Sequence, residues 1–290
     1  MFDYDYWGFG SFDAKTNMAL EEFLLKQAIK KAQFRFWDFT KDSVILGYAQ
    51  DTDAIKKRGM DVVRRITGGS HVHVGENVFC YTFAVPRDGS FKHFEDMRNY
   101  FATIVAKGLE GIGVENVEVD NKASAILVDK KIIAAHSMIW GVDSALIHGL
   151  IHIDPYNLEK IRERVFLADR KIGRNVYSEY NALKNLPIIS HMIDNKDVKK
   201  LLADSILKNL TKHYEKNYID ADLIKKAFDI VNNKHKKEEW IENRKPPFTE
   251  EEIDTVPGEE LAGNLKKDLG YCLFLQVKNK DFKNMATTDE

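Results

Sequence analysis

Arg64-Arg65-Ile66-Thr67-Gly68-Gly69-Ser70 is the stretch of this chain best equipped to hold an anion. A strand delivers two arginines to a turn. Paired glycines let the backbone come close to a ligand, and consecutive N–H groups can form an anion-binding nest. An arginine beside such a turn suits a phosphate or a carboxylate. The same residues also fit a plain turn carrying surface arginines. A second stretch is Asp129-Lys130-Lys131-Ile132-Ile133-Ala134-Ala135. If 124–139 is a hairpin, alternation sends one lysine inward and its neighbour outward. A solvated hairpin tip is the plainer reading. A third is Leu146-Ile147-His148-Gly149-Leu150-Ile151-His152-Ile153-Asp154, where His148, His152 and Asp154 share strand parity. They suit core histidines or a site wall better than a metal centre, because no second source of ligands is evident.

These residues need a scaffold, and 290 residues suffice for one large domain with a small appendage. The 44% hydrophobic and 30% charged content is that of a globular chain. A formal net charge of −2 gives no electrostatic ground for a nucleic-acid or membrane-surface partner. Two cysteines, Cys80 and Cys272, with no CxxC or Cys/His spacing, argue against a disulfide framework and a zinc site. The acidic, aromatic start Met1-Phe2-Asp3-Tyr4-Asp5 is unlike a signal peptide. No apolar run approaches the roughly 20 residues that span a bilayer. A cytoplasmic protein is expected.

Apolar spacing predicts helices over 17–31 and 94–111, the latter with Met97, Phe101, Ile104, Val105 and Leu109 on one face. Strands are expected at 34–37, 43–48, 61–65, 78–83 and 145–153, with a hairpin over 124–139 turning near Asp129-Lys130. A short helix is expected at 53–58. Asp154-Pro155 reads as a helix start, and 156–167, 196–215 and 221–235 as helical. A strand-rich front half followed by a helical back half argues for a mixed α+β domain. Pro246-Pro247 marks a boundary, giving a domain over 1–247 and an extension over 248–290. That extension reads as partly helical over 248–270, with a strand at 271–277.

Taken together, these segments resemble the lipoate–protein ligases, within the biotin/lipoate ligase and octanoyltransferase superfamily. Asn17-Met18-Ala19-Leu20-Glu21-Glu22 is similar to that family's first helix, and Ser43 to Gln50 to its second strand and turn. Arg64 to Gly69 matches its Arg-Arg-x-Ser/Thr-Gly-Gly loop, and Cys80-Tyr81-Thr82-Phe83 the strand that follows. Lys130-Lys131-Ile132 fits the segment bearing the essential lysine, which falls on Lys131. His148-Gly149 through Asp154 fits the His-Gly-x-Leu-x-x-Asp strand. The resemblance runs over residues 1–245. It implies a mixed sheet with packed helices, of the class II aminoacyl-tRNA synthetase-like kind.

The implied chemistry is activation of lipoate, or a related medium-chain acid, by ATP with Mg2+, and transfer of the acyl group to a lysine. The acceptor is a lipoyl carrier domain, of the 2-oxoacid dehydrogenase E2 or glycine-cleavage H type. By this resemblance Lys131 is catalytic, standing between carboxyl and phosphate. Arg65, Gly68, Gly69, Ser70, His71, Val72 and His73 hold nucleotide and acyl chain, with Val72 lining an acyl tunnel and His148 completing the site. Residues 248–290 are short for the accessory domain that some ligases carry, so a separate small subunit is a further implied partner.

The chain also departs from the pattern. Family loops continue Gly-Gly-Gly-Ala-Val-Tyr/Phe-His-Asp. Here Val74-Gly75 stands for the His-Asp pair. Ala123-Ser124-Ala125 replaces Asn-Asp-Ile/Leu, and Ala134 a glycine. A second reading is therefore a non-adenylating paralogue: an octanoyl or lipoyl transferase, or a binding protein for lipoylated carriers. Cysteine-dependent transferases place their nucleophile upstream of the lysine, where this chain offers only Cys80, which reads as a buried strand residue. Biotin ligases carry a Gly-Arg-Gly-Arg loop that is absent.

Overall fold

Phe34-Arg35-Phe36-Trp37 shows in four residues how the sheet separates two chemistries. Phe34 and Phe36 enter one aromatic core, while Arg35 and Trp37 face the opposite side. The structure, a computed structural model, describes residues 2–50, 55–57, 61–69, 71–155, 165–167, 181–192 and 194–242. Its centre is an eight-stranded mixed sheet in the order β13-β1-β2-β7-β11-β10-β9-β8. These strands are β1 (Tyr4–Phe12), β2 (Ala32–Phe39), β7 (Val78–Pro86), β8 (Val117–Asp120), β9 (Ala125–Val128), β10 (Lys131–Trp140), β11 (Ser144–His152) and β13 (Tyr214–Lys216). β13, β1 and β2 run parallel to one another, and the remaining pairs are antiparallel.

One face packs on α2 (Phe94–Gly111) and α4 (Asn195–Leu210). Phe83 stacks on Phe101 with ring centroids 4.7 Å apart, and Val198, Leu202 and Ile206 close the same core. α2 spans the expected 94–111 because its apolar positions recur at helical spacing, and His93 and Asp96 form a capping box. The other face carries α1 (Ala14–Gln27) and a small sheet ordered β5-β3-β6. Its strands are β5 (Asp61–Arg64), β3 (Ser43–Leu46) and β6 (Val72–Val74). Met18, Ile45, Val63, Cys80 and Leu150 join these layers. The site is built on this second face.

Several elements differ from the sequence reading. α1 starts earlier than 17, because Asp13 caps it by accepting from the Thr16 N–H at 2.9 Å, and it ends at Gln27 so that the chain can enter β2. Ile55–Lys57, expected in a helix, is a strand, β4, paired antiparallel with β12 (Val165–Leu167). β12 likewise replaces the end of the helix expected at 156–167. Val165-Phe166-Leu167 is a β-branched and aromatic run that fits a ladder. The helix expected over 196–215 stops at Leu210. Thr211 turns extended, and Tyr214–Lys216 joins the sheet edge beside Tyr4. Strands β1 and β8 were not anticipated. The readings for 156–164 and for 246 onward lie outside the described residues. Among the described residues no helix is long and apolar enough to cross a membrane.

The helical back half is bolted to α1. After α3 (Pro187–Ser190) and α4 come α5 (Ala221–Ile230), a π-helical turn Val231–His235, and α6 (Glu238–Ile241). Glu22 Oε1 lies 2.7 Å from both Lys234 Nζ and His235 Nε2, and Lys234 sits 3.9 Å over the Trp240 ring. Burial pushes the Glu22 carboxyl up, but Lys234 and His235 outweigh it and hold it down at about 2. A carboxyl depressed on folding stabilises above its unfolded value. That stability drains as pH falls through the folded value, so the window here runs from 4.5 to about 2. A shift of this size corresponds to about 3 kcal/mol. Urea unfolding across that range should show Glu22→Gln losing this part of the acid sensitivity. Equal pH slopes in both proteins would contradict the ion-pair account.

Candidate active site

β5 runs parallel to β3 and ends by delivering Arg64 and Arg65 into the turn. Neither is a surface arginine. Arg64 is fully buried and faces backbone, donating to the carbonyls of Gly47, Tyr48 and Gln50 at 2.9, 2.8 and 2.7 Å. It also reaches the carbonyls of Trp240 and Ile241, at 3.2 and 3.0 Å from Nε. Arg64 thus ties the 47–50 turn to α6. Arg65 turns back on its own loop: Nε donates to Thr67 Oγ1 at 3.0 Å and to the Gly68 carbonyl at 3.1 Å, and Nη2 also meets Gly68 O. Ser137 Oγ, from β10, donates to the same carbonyl at 2.8 Å.

Glycine is required by geometry at Gly69 and at Gly47. Gly69 has φ +86°, and a Cβ on the facing Gly47 would meet the Gly69 carbonyl oxygen at 1.7 Å. The two turns therefore abut, and only glycines allow it. Ser70 lies outside the described residues. His71 is half-buried, its Nδ1 3.4 Å from Gln50 Nε2, and burial together with Arg65 lowers its pKa. His73 is driven to about 4 by burial and by His71. The two imidazoles are therefore neutral near pH 7 and add no positive charge to the loop. Val72 and His73 are strand residues paired with Ile45 and Val44. Val72 packs against the apolar cluster of Met18, Trp37 and Leu150.

His148 reaches the loop from β11. Its Nε2 lies 2.7 Å from Thr67 Oγ1 and its Nδ1 3.0 Å from Glu21 Oε2. Glu21, on α1, is fully buried. It also accepts from Arg35 Nη2 at 2.7 Å and from Thr82 Oγ1 at 2.7 Å. Burial alone would raise the Glu21 carboxyl, but Arg35, His148 and Thr82 outweigh it and hold it below its ordinary value. His152, on the same strand face, is fully buried and pushed to about 3 by burial, so it stays neutral. Asp154 pairs with Lys184 at 3.2 Å. Among the described residues no three His, Cys, Asp or Glu side chains converge as a metal centre.

Lys131 was expected to face the loop across a pocket, and the structure places it otherwise. The β9–β10 hairpin turns at Asp129-Lys130, with φ +49° and +63°, and Lys131 pairs with Val128. A bulge between Ile132 and Ala134 breaks the alternation. Lys131 therefore shares register with Val128, whose side chain lies in the α2 core, whereas Ser137 lies on the loop side. Lys131 and Lys130 are both exposed. Among the described residues, no ion pair or hydrogen bond joins Lys131 to the 65–73 loop.

Glu21, Arg35, Thr67, Thr82 and Ser137 were not singled out as site residues. A signal existed for two of them: Glu21 sits on the apolar face of its helix, and Arg35 stands between two phenylalanines. A buried charge needs a partner.

The chain is 23% identical to lipoate–protein ligase 1 of Staphylococcus aureus over 246 residues, 81% of this chain and 72% of that one. In fold it is similar to a bipartite lipoate protein ligase of Thermoplasma acidophilum, solved in a study of that ligase and its E2 lipoyl domain. That match has a TM-score of 0.70 at 16% identity and covers 85% of this chain and 98% of the other. A lipoate-protein ligase A bound with ATP matches with a TM-score of 0.67 at 16% identity, over 82% and 98% of the two chains. Residues 13–207 match the lipoyl protein ligase A/B catalytic domain. With α1, the Arg-Arg-x-Thr-Gly-Gly loop and the His-Gly strand brought onto one face of the sheet, this chain belongs to the lipoyl protein ligase A/B catalytic-domain family.

Proposed function

We propose that this protein activates lipoate, or a related medium-chain acid, with ATP and passes the acyl group to a lysine of a lipoyl carrier domain. The observation that carries this reading is the Arg65–Gly69 loop, made by tight glycine backbone and anchored through Thr67 and His148 to a buried carboxylate. Relatives named as lipoate ligases, one of them solved with ATP, support it. In the first step a carboxylate oxygen of the acid attacks the α-phosphorus. An acyl O–P bond forms, and the P–O bond to pyrophosphate breaks. In the second step the carrier lysine amine attacks the acyl carbon and loses a proton, and AMP leaves with the oxygen.

Both steps bring anions together or develop charge on oxygen, and fixed donors lower their cost. Arg65 and the Gly68–His71 turn bind the phosphate, and Val72 with its neighbours receives the acyl chain. Lys131 supplies a mobile ammonium from the hairpin tip when the substrate is in place. The carrier is an E2-type or H-type lipoyl domain, and a small accessory subunit is a further proposed partner. Mg2+ would supply further positive charge at the phosphates, and no step is assigned to it.

Lipoate-dependent exchange of labelled pyrophosphate into ATP tests the first step. Exchange above the no-lipoate control is expected, and none at saturating lipoate would sink adenylation. The exposure of Lys131 favours a second reading, a transferase or carrier-binding protein that does not adenylate. A thioester on Cys80 is not favoured in that case. The residue is buried and burial pushes its thiol well above the ordinary value, away from the reactive thiolate.

A further inference from the structure

We infer that His148 is a positioning residue, which with Glu21 and Thr67 sets the shape of the anion-binding loop and the aim of Arg65. This rests on the proposed role of the loop and extends it to groups that touch no substrate. The direction of each hydrogen bond follows from chemistry. Glu21 is held ionised and can only accept, so His148 Nδ1 carries a proton. Thr67 Oγ1 already accepts from Arg65 Nε, and Thr67 is fully buried, so its own proton needs an acceptor. His148 Nε2, at 2.7 Å, supplies it. The chain therefore reads Arg65 Nε–H to Thr67, Thr67 O–H to His148, and His148 Nδ1–H to Glu21, and every link has one direction.

The far end is immobile. Glu21 and Arg35 are 0% and 1% exposed, and Trp37 Nε1 locks Thr82 at 2.8 Å. The near end is the site. The guanidinium also donates from Nε and Nη2 to the Gly68 carbonyl, and from Nη1 to the Ile45 carbonyl at 3.3 Å. When a phosphate arrives, Nη2 can leave the Gly68 carbonyl while Nε stays on Thr67. Thr67 is then a pivot, and His148 sets where it stands.

Two readouts separate this from a merely structural role. In the full-length labelled protein, 15N NMR should show His148 protonated at Nδ1, and Arg65 Nε–H protected from solvent exchange. Thr67→Val, isosteric but without the hydroxyl, should raise Arg65 Nε–H exchange at least about tenfold and lower kcat for adenylate formation by about 10–100-fold. Thr67→Ser should restore most of both. His148→Asn, which keeps a donor for Glu21 but loses the Thr67 acceptor, should resemble Thr67→Val. His148→Gln, which can still accept from Thr67, should retain more activity. Unchanged Arg65 protection in Thr67→Val, or His148 protonated at Nε2 alone, overturns the inference whatever the activity. If wild type makes no adenylate while the NMR pattern holds, the functional reading fails and the positioning chain stands.

Discussion

Glu21→Ala should destabilise the protein by about 3–5 kcal/mol, the usual cost of breaking a buried ion pair by removing one partner. The carboxylate is fully buried and takes Arg35 Nε and Nη2 on one oxygen, at 2.9 and 2.7 Å. Without it, the Arg35 guanidinium keeps the Asn17 side-chain and backbone oxygens, at 3.3 and 3.0 Å, and the face of Trp37, but no counter-charge, in a buried site. Domains carry about 5–15 kcal/mol in total, so this one change removes a large share. Urea unfolding at neutral pH measures it. The Glu21→Ala/Arg35→Met double variant should recover part of the loss, since it removes the orphaned charge as well. A single-variant loss below about 1 kcal/mol would mean that the pair is not the anchor described.

Lys131→Ala should leave stability unchanged and lower acyl transfer by about 10²–10³-fold, the scale for removing one donor to developing charge. The side chain is exposed at the hairpin tip, so truncation opens no cavity. The lysine stem is long and flexible, so an ammonium on the wrong side of the strand at rest can still swing over the edge. Single-turnover transfer from preformed lipoyl-adenylate, compared with wild type, isolates the step. Equal rates would make Lys131 the solvated tip that its surroundings resemble. The proposed catalysis would then lose its lysine.

How much of this was legible depended on how local each signal was. α2 could be read to its ends, because its apolar positions and its capping residues lie within one short stretch. The hairpin turn and the Gly-Gly loop were equally local. β1 was not: Tyr4-Asp5-Tyr6-Trp7 becomes a strand only because β2 and β13 flank it, the latter some 210 residues on. Tyr214-Glu215-Lys216 looks like the end of a charged helix until Thr211 breaks it. At the site, the loop was visible and its support was not. Glu21 and His148 are separated by 127 residues, and nothing local marks them as partners. Arg64, delivered to the turn beside Arg65, proved to be a buried clamp on five carbonyls, a role with no local mark in the sequence. The side taken by Lys131 turned on one bulged residue, which leaves no trace in composition.

The proposed function has this chain both activate an acid and deliver it. Its most direct test is the intact mass of a lipoyl carrier domain after incubation with the protein, ATP and lipoate, with a parallel sample given preformed lipoyl-adenylate. One lipoyl group is expected on the carrier in both samples, and none when ATP is left out of the first. Modification only from the preformed adenylate would contradict activation by ATP. No modification in either sample, with the carrier still bound, would contradict the enzyme altogether and leave a binding protein in its place.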